Sequence, residues 1–152
     1  MTTVCIVGDT SVDIRSELLS RETAQEALSQ YSLTTPWSNT IAVDTASLGM
    51  AVSLLNDLNW YLVRFAERSM VKEPSVSSDE WISRSLASAI REGEVAPEES
   101  DRNLAIFGVD RGQLVEPMFV TRRPGAAVPE YDLRPVSETV RVRIAADEFG
   151  NW

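Results

Sequence analysis

The sequence predicts an α+β fold of the α/β type, a single domain over residues 1–152 with a mixed β-sheet and helices packed on it. Three observations lead there. An apolar run, Val4 to Val7, closes on Gly8-Asp9 like a buried strand. The middle of the chain carries apolar residues at helical spacing. The last third alternates apolar and polar residues like strands in a sheet. Together they give the order β-α-β-α-α-β-β-β.

Val4 to Val7 has no polar face, so both faces should be covered, which suits a central strand parallel to a neighbour. Helical material follows from about Val12 to Tyr31. Ile14, Leu18 and Leu19 form one apolar group, and Ala24, Ala27, Leu28 and Tyr31 the next. Thr23 and Glu26 have capping-box spacing, which divides this region into two short helices. Pro36 ends the connection, and Thr40 to Val43 reads as a second strand.

Leu48, Val52, Leu55 and Leu62 keep helical spacing behind Asp44, Thr45 or Ser47 as N-cap. Trp60-Tyr61-Leu62-Val63 has strand composition, yet Leu55, Leu62 and Phe65 continue the helix. One long helix ending before Lys72-Glu73-Pro74 is favoured over a break to strand near Asn59. The next helix is expected over Asp79 to Glu92. Ser77 and Glu80 form its capping box, Ile82, Leu86, Ala89 and Ile90 its apolar stripe, and Gly93 its C-cap. An acidic loop, Glu94 to Asp101, follows.

Leu104 to Val109 and Leu114 to Thr121 form a hairpin around Asp110-Arg111-Gly112. Pro117 cannot donate to a ladder, so the second arm lies at an edge or carries a bulge. A loop with Pro124, Pro129 and Pro135 leads to a last strand. There Val140, Val142 and Ile144 alternate with Thr139, Arg141 and Arg143. The expected core is Val4, Ile6, Leu55, Leu86, Ile90, Ile106, Phe107, Val142 and Ile144.

Composition narrows the function. The chain carries 23 acids against 14 bases, a net charge of −9, and Lys72 is its only lysine. Acid excess with arginine in place of lysine fits a protein working in strong salt, where the Debye length is only about 3 Å at 1 M. A GC-rich coding bias is the alternative. There are no histidines, which removes Ser-His-Asp and Cys-His nucleophile systems and His-ligated metal sites. One cysteine makes neither a disulfide nor a cysteine-rich zinc site, and Cys5, inside an apolar strand, reads as a buried structural thiol. The N-terminus reads as a strand, not a signal peptide, and no apolar stretch is long enough to span a bilayer, so the expected location is the cytoplasm.

At Leu54-Leu55-Asn56-Asp57-Leu58-Asn59-Trp60-Tyr61-Leu62-Val63-Arg64-Phe65, and again at Val115-Glu116-Pro117-Met118-Phe119-Val120-Thr121-Arg122, the chain resembles a haloarchaeal domain family of unknown function. The resemblance spans nearly the whole chain. It implies a salt-rich cytoplasm and brings no activity or site residues.

Four groups of residues can carry chemistry. Gly8-Asp9-Thr10 follows a strand, where open α/β sheets place ligands. There Asp9 and Asp13 could hold a hydrated magnesium ion, or merely cap the next helix. The latter is favoured, and no phosphate-binding glycine loop occurs. The acids of the 92–101 loop lack the alternation of a calcium site. Trp60 and Tyr61, with Asn56, Asn59 and Arg64 nearby, could stack on a base or peptide, against the plainer role of core aromatics.

The fourth group is the arginines. From Arg111 to Arg143 six arginines face four acids, in a chain that is otherwise acidic. Arg122, Arg123, Arg141 and Arg143 would form one patch if the last strand pairs beside the hairpin. Such a patch grips anions through guanidinium forks, or else forms Arg–Glu pairs across an exposed sheet face.

The leading expectation is a non-catalytic binding module joining a protein or ribonucleoprotein assembly, with no catalytic residues, metal or cofactor, and no membrane or DNA partner. A small metal-dependent enzyme or nucleotide binder using Asp9 and Asp13 is the second. A homo-oligomeric structural protein using the Pro117 edge is the third.

Overall fold

The computed structural model describes residues 1–123, 127 and 138–152; the loop prolines 124, 129 and 135 lie outside them. The α+β class holds: among the described residues one mixed sheet carries five α-helices on one face. Strand β1 (Thr2–Gly8) lies between β2 (Thr40–Thr45) and β3 (Ala66–Lys72). Beyond β3 come β4 (Trp81–Ser83), β8 (Glu138–Ile144), β5 (Asn103–Asp110) and β6 (Gln113–Leu114). β7 (Met118–Thr121) pairs with β5 as well.

β1 is central and covered on both faces, but it runs antiparallel to both neighbours. Only β4 and β8 pair in parallel among the described strands. An antiparallel strand usually leaves one face wet. Here the second face is buried because the curled sheet closes on its own apolar residues. Val4 and Ile6 face the helices with Ile41, Val43, Val71 and Ile82. Cys5 and Val7 face the concave side with Met70, Trp81, Phe107, Val140 and Val142. Ser38 N–H donates to the carbonyl of Gly112 at 2.8 Å, tying the approach to β2 to the tip of the β5–β6 hairpin.

Helices α1 (Ile14–Leu19) and α2 (Glu22–Leu28) are the two expected short helices, although the break falls at Ser20-Arg21 and Thr23 is not the cap. Helix α3 (Leu48–Asp57), capped by Ser47, is followed across Leu58 by α4 (Asn59–Phe65). The helix expected to run on toward Lys72 therefore stops at Phe65. Ala66 turns extended, and Met70 and Val71 send their side chains to opposite faces of the sheet between β1 and β4.

Helix α5 is Arg84–Arg91, shorter than expected over Asp79 to Glu92. Trp81 and Ile82 pair with β8, and Ser83 caps the helix by accepting from Leu86 N–H at 3.2 Å. Ser77 Oγ still accepts from the amides of Asp79 and Glu80, but in a turn before the strand. Gly93 ends the helix at φ +78°, as its C-cap role requires. The second hairpin arm divides into β6 and β7, and Pro117 lies in the gap between them. Of the nine expected core residues, eight are buried and Ile90 is partly buried.

Candidate functional site

Arg122, Arg141 and Arg143 do converge, and they converge on Glu80. The Arg122 fork donates to both Glu80 oxygens at 2.7 and 3.1 Å, and Arg143 Nε donates to Oε1 at 2.8 Å. Arg141 Nη1 stands 3.6 Å from Oε2. The side chains of Glu80, Arg122 and Arg143 are only 5%, 8% and 12% exposed. Arg143 also donates to Ser100 Oγ, and Arg122 to the carbonyl of Asp101. Burial pushes the Glu80 carboxyl up, but the hydrogen bonds and charges of Arg122 and Arg143 outweigh it and hold the group below the usual carboxylate range. Register puts Arg141 and Arg143 opposite Val140, Val142 and Ile144, as alternation predicts. The face they occupy is buried at Arg143, and Arg123 stands apart and exposed. Glu80 is what spacing misassigned: its capping-box position concealed partners 42 and 63 residues away.

The aromatic group splits. Tyr61 and Phe65 are partly buried against the helix-side core, whereas Trp60 is 50% exposed and Val63 71%. Arg64 lies over the Trp60 ring at 3.8 Å and donates to its carbonyl at 2.8 Å. Arg21 approaches from α1's end, 4.7 Å from the Phe65 ring and 5.9 Å from Trp60, and pairs with Glu17. Asn56 and Asn59 are occupied elsewhere, both accepting from Arg84.

At the end of β1 the two aspartates hold local structure. Asp13 caps α1, accepting from Ser16 N–H at 3.1 Å. Asp9 Oδ1 accepts from the Ser11 amide and hydroxyl, bonds that lower its pKa. Asn39 organises the region from a left-handed φ of 52°. Its Oδ1 accepts from Ile14 N–H, its Nδ2 donates to the Asp9 carbonyl, and its own carbonyl accepts from Gly8 N–H. A Cβ on Gly8 would lie 2.7 Å from both Asn39 Nδ2 and Ile14 Cβ, so only glycine fits.

Beside this knot lies a cleft of about 250 Å³, lined by Gly8, Thr10, Ser38, Glu67, Arg68 and Gln113 among others. Arg68 is its buried charge, 12% exposed, with its guanidinium over the rings of Phe107 at 4.7 Å and Trp152 at 5.5 Å. Burial lowers its pKa, opposed in part by the charge of Glu67. Neither Arg68 nor Asn39 is singled out by spacing. The nearest signal is an arginine two residues before Met70-Val71, on the strand face that turns inward.

Cys5 is buried, and burial pushes its thiol up to about 12, which fits a structural role. No helix among the described residues is long and apolar enough to cross a membrane, and no group of three acidic or cysteine side chains among them is placed to hold a metal. A model of a family of unknown function, DUF5804, matches residues 2–109. The stretch Leu54 to Phe65 lies inside that match and Val115 to Arg122 beyond it. Neither the curated proteins nor the solved structures hold a match.

Proposed function

The chain belongs to the DUF5804 family, whose function is unknown, and from its own surfaces we propose that it is a non-catalytic module that docks onto a protein partner. The observation that carries this is the half-exposed Trp60 on α4, stacked with Arg64 and set beside the exposed Val63. Tryptophan and arginine are the residues most enriched among those that dominate binding energy at protein interfaces. With Arg122 and Arg143 bonded to Glu80 and Arg141 3.6 Å from it, the docking surface moves from the last strands to α4. A protein fits better than a nucleic acid because the chain is net −9 and Arg21 already holds Glu17. An apolar and guanidinium–aromatic contact also keeps its strength in salt that screens bulk charge.

The test is capture of partners from native lysate in molar KCl, with and without ribonuclease, by the parent chain and by Trp60→Ala with Arg64→Ala. Loss of a central tryptophan anchor costs about 2 kcal/mol or more, roughly 30-fold in affinity. The double variant should lose its protein partners with its melting temperature nearly unchanged. Equal capture by both chains refutes the surface. Capture abolished by ribonuclease assigns the partner to RNA instead.

A further inference from the structure

The fold treats its buried arginines unequally. Arg122 and Arg143 meet a buried carboxylate head-on at Glu80. Arg68 is as deeply placed, yet its Nε has no hydrogen-bond partner, and its Nη2 makes a 3.2 Å contact to Glu67 and a 3.5 Å contact to the main-chain oxygen of Trp152. The Glu67 side chain is 44% exposed, so this pair is screened and loosely held. A buried guanidinium N–H left without a partner is costly. The cleft beside it supplies further polar groups: among the described residues, the hydroxyls of Thr10 and Ser38 and the Gln113 amide engage no other side chain. Asn39 is spent on holding the backbone and keeps the wall rigid.

We propose that this cleft binds a small organic carboxylate, gripped by the Arg68 guanidinium and flanked by Thr10, Ser38 and Gln113. The cleft's 250 Å³ is below the roughly 300–1,000 Å³ of drug-sized sites, which leaves room for a compact metabolite and not a nucleotide. One guanidinium beside Glu67, in a chain of net charge −9, matches a monoanion better than a phosphate dianion. Glu67 competes with the ligand for Arg68, so the two neighbours act with opposite sign.

The ¹⁵N-labelled chain is titrated with acetate, glycolate and inorganic phosphate at fixed ionic strength. Saturable shifts should appear with glycolate and be confined to Gly8, Thr10, Ser38, Asn39 and Gln113. Arg68→Gln should weaken glycolate binding at least about tenfold, the loss of a charge-assisted bond. Glu67→Gln, an exposed change that leaves the fold alone, should tighten it about threefold or more. If Arg68→Gln does not fold, Glu67→Gln decides. No saturation, shifts centred elsewhere, unchanged or weaker binding in Glu67→Gln, or phosphate binding more tightly than glycolate would each overturn the proposal.

Discussion

Replacing Glu80 by Gln keeps its shape and removes its charge, leaving two buried guanidinium groups facing a neutral amide. Breaking a buried ion pair from one side costs about 3–5 kcal/mol. The surviving bonds place this variant at the lower end. Arg122 keeps the Asp101 carbonyl at 2.8 Å and its carboxylate at 3.9 Å, and Arg143 keeps Ser100 Oγ at 2.9 Å. A loss of about 3 kcal/mol follows, or roughly 6–12 °C in melting temperature for a domain of this size. Urea titration at pH 7 measures it. With a slope near 2 kcal/mol/M, the midpoint should fall by about 1.5 M with the slope unchanged. The loss should be the same in 0.1 M and 2 M KCl, because buried pairs are weakly screened. Acid provides a second check. The folded carboxyl lies below its unfolded value near 4.3, so its stabilisation is complete above that pH and is lost as pH falls through the folded value. The gap between parent and variant should therefore close in acid. A loss under about 1 kcal/mol at pH 7, or a gap that widens in acid, refutes the reasoning.

Three further outcomes are expected. The melting temperature of the parent chain should rise markedly from dilute buffer to molar KCl, as screening relieves the repulsion among 23 acids; a flat response in a calorimeter removes the salt-adaptation reading. Leu86→Ala should cost about 2–5 kcal/mol and Ile90→Ala clearly less, since only Leu86 is fully enclosed; equal losses in denaturant would contradict the packing. Gly8→Ala should cost about 1–3 kcal/mol, because its methyl group meets Asn39 and Ile14; an unchanged midpoint would show that the turn can open at no cost.

What the sequence disclosed follows the range of the forces involved. Val4 to Val7, the hairpin around Gly112 and the alternation of the last strand are local patterns, and each is where it was expected. Ala66 to Lys72 was hidden because only Met70 and Val71 in it are strongly apolar, and the preceding helix pattern ran past Phe65. Its strand state comes from the slot between β1 and β4, a tertiary demand that overrides local preference. The arginines were rightly placed on one face of the last strand. Their role turned on Glu80, which local spacing had assigned to a helix cap. Trp60 was named for its chemistry, but its separation from Tyr61 depends on which side of α4 meets the core. Arg68 carries no motif at all; its meaning lies in what does not surround it.

The three-residue strand β4 joins the two halves of the sheet, through Met70–Ser83 and Val71–Ile82 on one side and Trp81–Val142 and Ile82–Arg143 on the other. Each half also holds long-range pairings of its own, Thr3–Lys72 in the first and Asn103–Ile144 in the second. Joining the halves brings residues near 142 to residues near 81, and β4 holds β8 through two residue pairs, Trp81–Val142 and Ile82–Arg143. Glu80, just ahead of β4, reaches across this join to Arg143 on β8. Its bond thus clasps a narrow seam of the sheet, adding a side-chain tie where β4 meets β8 through two residue pairs.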